Sequence, residues 1–142
     1  KCMQHNCQAL VINCMDFRLV DETRKYLERK NLAGNYDLVC VAGSTKEIAR
    51  PQDELARAYL LKCISVSYNL HKARKLIIIH HTDCGAYGGK KAFAGDWEER
   101  EAHVGDMKKS AEIIKEAFGE FEIKKVYAKI LEEGIVFEEI GE

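Results

Sequence analysis

Apolar residues in this chain follow two rhythms, and the two alternate along its length. Short unbroken runs occur at Ala9-Leu10-Val11-Ile12-Asn13, Tyr36-Asp37-Leu38-Val39-Cys40-Val41 and Leu76-Ile77-Ile78-Ile79-His80. Such runs predict strands, and the last, with three β-branched residues among its four apolar ones, predicts a strand buried on both faces. Between them the apolar positions space out to a helical period. Val20, Thr23, Tyr26 and Leu27 predict a helix over residues 20–32, with Asp21 and Glu22 suited to its first turn and Asn31 and Gly34 ending it. Leu55, Tyr59, Cys63, Val66 and Leu70 predict a second helix over residues 52–71, started near Pro51, with Cys63 in the core. Met107, Ala111, Ile114 and Phe118 predict a third over residues 104–118, while residues 92–103, with Trp97 among charges, read as a surface excursion. The chain closes with two strands, over 126–131 and 135–140, joined at Glu132-Glu133-Gly134.

Strands that alternate with helices predict an α/β fold. The expectation is a single domain over residues 1–142, with a central, mostly parallel β-sheet flanked by helices and a C-terminal antiparallel hairpin strand. Parallel strands have a chemical consequence, because they line up their carboxyl ends on one edge, where such folds place their sites. Three segments follow directly on strands here: Cys14-Met15-Asp16-Phe17-Arg18, Ala42-Gly43-Ser44 and His81-Thr82-Asp83-Cys84-Gly85. Cys14, Asp16 and Arg18 alternate, so extended backbone turns them to one side; the plainer alternative is a buried thiol beside a surface Asp–Arg pair. His81 and Cys84 can reach one ion across a tight turn, with Gly85 where the backbone bends. Their alternative is a strand-end imidazole and a thiol packed as a small hydrophobe. Ala42-Gly43-Ser44 either lets backbone approach a ligand or is an ordinary turn. Brought to one edge, Cys14, His81 and Cys84 make three ligands with a fourth position open, as in a catalytic zinc site, and Asp16 stands beside them.

Composition narrows the function classes. A net charge of -1 with interspersed signs provides no general pull toward nucleic acid or an anionic membrane, and no apolar run approaches the roughly 20 residues of a membrane span. No signal-peptide pattern is visible. Six cysteines in an α/β chain read as reduced thiols or metal ligands, which favours the cytoplasm. The first residues hold Cys2, His5 and Cys7, either a second metal cluster or a frayed polar terminus. Gly85 to Lys91 departs from a phosphate loop, because the spacing to Lys90 is one residue short and no Ser or Thr follows the lysine. His103 is either a proton shuttle or an ordinary surface histidine.

The segments Cys14-Met15-Asp16-Phe17-Arg18 and His81-Thr82-Asp83-Cys84-Gly85 together resemble the C-x-D-x-R and H-x-x-C-G motifs of the β-class carbonic anhydrases. The small Ala42-Gly43 turn and the terminal hairpin extend the likeness over about residues 10–140. The resemblance implies one zinc ion per chain on Cys14, His81 and Cys84. It implies an Asp16–Arg18 dyad in which Asp16 orients the attacking water, and a substrate pocket about Ala42, Gly43 and Gly85. The implied reaction is reversible hydration of carbon dioxide to bicarbonate and a proton, in a homodimer or higher homo-oligomer with no nucleic acid or membrane partner. Two departures stand out. Phe17 occupies a place commonly taken by a small residue, and Cys40-Val41 replaces the Arg-Asn usual before Ala-Gly. The chain also lacks most of the family's N-terminal helical arm, so a dimer of altered geometry is expected. Two alternatives share this scaffold: a hydrolase for a related heterocumulene such as carbonyl sulfide or carbon disulfide, and a catalytically silent zinc-binding or thiol sensor.

Overall fold

The computed structural model describes residues 5–141. Five strands form one sheet: β1 (Ala9–Cys14), β2 (Tyr36–Val41), β3 (Lys75–His81), β4 (Glu122–Leu131) and β5 (Gly134–Ile140). Their order is β2-β1-β3-β4-β5. The first three pairings are parallel and the last, β4 with β5, is antiparallel. The α/β expectation with its closing hairpin is therefore met. All six residues of β1 are buried, as are all but the first of β3, because these strands have neighbours on both edges and helices on both faces.

Period-2 alternation splits each central strand between two cores. Leu10, Ile12, Leu76 and Ile78 face one side, against helices α2 (Lys46–Ala49), α3 (Glu54–Asn69) and α4 (Asp96–Ala117). Ala9, Val11, Ile77 and Ile79 face the other, against Tyr26 and Leu27 of helix α1 (Val20–Arg29). There Tyr26 also stacks on Phe137 of β5, with ring centroids 4.3 Å apart.

Helix α1 ends at Arg29, short of the expected residue 32. Asn31 takes a left-handed conformation (φ 61°), the Leu32 amide donates to the Leu27 carbonyl at 3.0 Å, and the Asn31 amide donates to Glu28 at 2.9 Å. This double closure folds Leu32 back onto Leu27, and both side chains are buried. Helix α3 starts at Glu54, where Asp53 accepts from the amides of Leu55 and Ala56 at 3.0 and 3.4 Å; Pro51 lies ahead of the cap.

Two expectations are overturned. The stripe of Leu55, Tyr59, Val66 and Leu70 does not face the core. These residues are exposed, Cys63 is half-buried, and α3 instead buries Leu60, Ile64 and Ser67. Apolar residues occupy two faces of this helix, and only the packing decides which one meets the sheet. Likewise residues 92–103 are not wholly a surface excursion, since α4 begins at Asp96. Its acidic first turn, with Asp96, Glu98 and Glu99, suits a helix N-terminus but dilutes the apolar period that would have announced it.

Candidate metal centre

The β1, β2 and β3 registers place Cys14 beside Val41, and Ile12 beside Ile78, so the three suspected segments leave the sheet on one edge. Cys14 is the last residue of β1 and His81 the last of β3. Beyond His81 the backbone turns sharply at Asp83, which adopts φ 55° and brings Cys84 back to the edge. The turn is tied to the sheet: the Thr82 amide donates to the Ala128 carbonyl at 3.0 Å, and Thr82 Oγ1 accepts from the Ile130 amide at 2.9 Å.

Cys14, His81 and Cys84 are all buried, and one ligand atom from each lies within 4.8 Å of the others. The two sulfur atoms are 3.9 Å apart. His81 Nδ1 is 2.7 Å from the Thr82 carbonyl, which can only accept, so Nδ1 carries the proton and Nε2 presents its lone pair. That Nε2 is buried and has no hydrogen-bond partner among the described residues. A fixed tautomer with an orphaned lone pair beside two thiols is the donor set of a zinc-type ion, and these residues fit one. The close approach of Cys84 Sγ holds the Cys14 thiol well below its ordinary range, against the opposing effect of burial.

Asp16 caps a short 3-10 turn, Phe17–Leu19, and is gripped by Arg18. Its Oδ1 accepts from Arg18 N at 2.9 Å and Nε at 3.0 Å, and its Oδ2 accepts from a terminal guanidinium nitrogen at 2.7 Å. The pairing pulls the carboxyl down to about 2, so Asp16 is ionised at any working pH. Its Oδ2 stands 4.0 Å from His81 Nε2. The carboxylate therefore faces the ligand cluster while remaining on the guanidinium.

Arg18 is itself positioned from the second motif. It donates to the Asp83 carbonyl at 3.0 Å and to Asp83 Oδ2 at 3.2 Å, and Asp83 Oδ1 accepts from the Lys90 amide at 2.7 Å. Asp83 was missed in the sequence, where it sits between two ligands as a seemingly ordinary turn residue; its adjacency to Arg18 is entirely tertiary. The bend attributed to Gly85 is made by Asp83. Gly85 has no positive φ, and an added Cβ there would meet nothing within 4 Å. Gly43 is different: at φ 77° its Cβ would lie 2.9 Å from that of Ala86 and 3.2 Å from that of Lys46. The small turn thus lets residues 42–44 pack on the ligand loop. Ala42 and Ala86 border a cleft of about 390 Å³ with Val41, Lys46 and Tyr59. Phe17 points outward at 84% exposure, so its bulk stays out of the ligand cluster. Cys40 Sγ donates to Asn13 Oδ1 at 2.8 Å.

A second polar group lies behind the sheet edge. His103 is not a surface histidine; it is fully buried on α4, and its Nδ1 meets His80 Nδ1 at 2.9 Å. His80 Nε2 is 2.8 Å from Thr45 Oγ1. Tyr87 donates to Asp106 at 2.7 Å, and Arg50 clamps Asp106 at 2.9–3.1 Å. Burial pushes His80 well below the usual imidazole range and His103 down to about 4, so both are neutral. Glu99, also buried, accepts from the Asp83 amide at 2.8 Å and ties α4 to the ligand turn.

Comparison with known proteins agrees with the fold. The sequence profile of the family described as "Putative carbonic anhydrase" matches residues 4–136. The chain belongs to the β-carbonic-anhydrase-like family. An uncharacterized protein of Rickettsia bellii is 31% identical over 143 residues, covering 97% of this chain and 84% of its own length. One of Rickettsia conorii is 29% identical over 141 residues, covering 97% and 74%. Among solved structures, the β-carbonic anhydrase CafD of Aspergillus fumigatus aligns with TM-score 0.63 at 11% identity, covering 96% of this chain and 90% of that one. A β-carbonic anhydrase of Trichomonas vaginalis aligns with TM-score 0.61 at 14% identity, covering 94% and 81%. At such identities the two structures speak for the fold. No helix among the described residues is long and apolar enough to cross a membrane.

Proposed function

We propose that this family member is a zinc-dependent carbonic anhydrase, hydrating carbon dioxide to bicarbonate and a proton with one zinc per chain. The observation that carries the reading is the orphaned Nε2 of His81 beside two thiols, with a carboxylate gripped at the margin. Cys14, His81 and Cys84 would hold the ion. When bound, zinc supplies Lewis acidity that makes water nucleophilic near neutral pH. Asp16 accepts a hydrogen bond from the attacking water and orients it. Arg18 keeps Asp16 from filling the open position, and Asp83 keeps Arg18 in place. Ala42, Gly43 and Gly85 border the approach of substrate. Two thiolates already offset a divalent charge, so such a site would acidify water less than one built from neutral imidazoles alone, and activity is expected to rise toward alkaline pH.

A homodimer is part of the same reading. Met15, Phe17 and Val20 are exposed beside the first motif, and Leu38, Leu55, Tyr59 and Val66 form an uncovered apolar surface along the open edge strand β2 and helix α3. A second copy of this chain would bury both. The described cysteines are all free thiols, in keeping with a reducing cytoplasm.

Stopped-flow CO2 hydration by the zinc-loaded protein, at neutral and alkaline pH, tests the proposal. Turnover that rises with pH and disappears in Cys84→Ser is expected. Absence of turnover with zinc bound overturns it, and carbonyl sulfide and carbon disulfide would then be tried as substrates. The 3.9 Å approach of Cys14 and Cys84 favours one further reading, a thiol sensor that responds when the ion is lost. That reading expects metal binding without turnover and reversible oxidation of this pair.

A further inference from the structure

We propose that Cys7, Asp37 and His71 form a second transition-metal site, of the zinc class, on the amino edge of the sheet. The sequence flagged Cys2, His5 and Cys7 as a possible cluster. Cys2 lies outside the described residues, but Cys7 and His5 do meet new partners, supplied by parts of the chain that local spacing does not reveal. Cys7 precedes β1, Asp37 is the second residue of β2, and His71 follows α3. One ligand atom from each lies within 4.8 Å of the others.

The distances suit an ion. Asp37 Oδ2 is 3.6 Å from Cys7 Sγ and 2.7 Å from His71 Nδ1. With bonds of about 2.0 Å to nitrogen or oxygen and 2.3 Å to sulfur, tetrahedral neighbours stand about 3.3–3.5 Å apart. The sulfur–oxygen spacing is already near that value. The shorter spacing is a hydrogen bond that the ion would replace, by opening the pair a little. The backbone holds the group together, since the Cys7 amide donates to the His71 carbonyl at 2.9 Å. A thiol, an imidazole and a carboxylate together select zinc over calcium or magnesium. All three side chains are half-buried, leaving a face open to solvent and a fourth position for water.

His5 completes the arrangement. Its Nε2 is 3.1 Å from His71 Nε2, and the two rings meet edge to face at 4.7 Å. An imidazole that binds an ion through Nδ1 carries its proton on Nε2 and donates it to an orienting partner. His5 is in place to accept that proton's hydrogen bond. On binding, the Cys7 thiol proton leaves to solvent, and the His71 proton is carried on Nε2 in place of Nδ1. Nothing in this edge site depends on the anhydrase assignment.

Zinc content of the chain, measured after equilibrium dialysis, tests the site. The unmodified protein is expected to hold two ions per chain. Cys14→Ser/Cys84→Ser, which removes the carboxyl-edge thiols, should retain one, and adding Cys7→Ser or His71→Ala should remove it. Should the double variant fail to fold, His71→Ala alone in the otherwise unmodified protein should still lower the content from two to one. His5→Ala should weaken this ion about 10–100-fold without abolishing it. Cobalt substitution gives an independent readout, because a thiolate-to-cobalt absorption that survives Cys14→Ser/Cys84→Ser must vanish with Cys7→Ser. Zinc content unaffected by both Cys7→Ser and His71→Ala would overturn the proposal and leave the group as a hydrogen-bonded cluster.

Discussion

The two edges of the sheet carry clusters made from the same chemical parts, a thiol, an imidazole and a carboxylate, yet arranged to opposite effect. At the carboxyl edge the carboxylate of Asp16 is on an arginine, 4.0 Å from the nearest imidazole nitrogen. At the amino edge the carboxylate of Asp37 is directly on the imidazole, at 2.7 Å. The first arrangement leaves a buried lone pair on His81 with no partner; in the second the equivalent nitrogen is satisfied. The ligands of the first are buried and those of the second half-exposed. What separates a candidate reaction centre from a candidate binding cluster is therefore the guanidinium, which keeps one acid away from the ligands.

The sharpest way to break this comparison is to remove a ligand. Cys84→Ser is expected to reduce CO2 hydration to the uncatalysed background in stopped-flow assays and to lower zinc content by one ion. Persistence of turnover would mean that the carboxyl edge is not the reaction centre.

Next in size is the clamp itself. Arg18→Lys keeps the charge but loses the planar fork that engages both Asp16 oxygens. Losing charge-assisted hydrogen bonds of this kind costs about 1.5–3 kcal/mol, so kcat should fall roughly 10–100-fold while zinc content stays unchanged. Full activity in this variant would remove the distinction drawn between the edges.

A third test concerns the support behind the carboxyl edge. His80 and His103 are neutral in the folded protein, with His103 at about 4, whereas an unfolded histidine titrates near 6.5. The unfolded chain therefore binds more protons as pH falls between those values. Stability should be full above about pH 6.5 and decline toward pH 4, by at most about 1.4 kcal/mol per pH unit for each imidazole. Urea denaturation across this range should show a shallower decline in His103→Gln. An identical slope would mean that His103 is protonated in the native state.

The smallest effect on stability is expected at the exposed stripe of α3. Leu55→Ser and Tyr59→Ser should change monomer stability by no more than about 0.5 kcal/mol yet shift sedimentation from dimer toward monomer. Unchanged sedimentation of a dimer would place the subunit contact elsewhere, and a monomeric unmodified protein would remove the contact altogether.

Features held by unbroken local patterns were legible in the sequence. The runs 9–13, 36–41 and 76–80 fall within three strands of the sheet, and the parallel order that brings Cys14, His81 and Cys84 together followed from their alternation with helices. What was not legible depended on which surface meets which. Helix α3 has two apolar faces, and the more regular one turned out to be exposed. Helix α4 hides its first turns in charge, and with them the burial of Glu99 and His103. Asp83 becomes visible as the anchor of Arg18 only when residues 65 positions apart are set side by side. The same holds for His71, which spacing alone could not join to Cys7 across β1 and α3.

Separation along the chain also governs how the carboxyl-edge centre comes into being. Cys14 and Cys84 stand 70 positions apart in the chain yet meet on one edge of the sheet, at the end of β1, which lies between β2 and β3. Closing such distant pairings is slow, and the two sulfurs come together only once β1 has paired with β3. An ion held between them would thus act as a late clasp. It would slow unfolding far more than it speeds folding, and its removal would shorten the lifetime of the native chain.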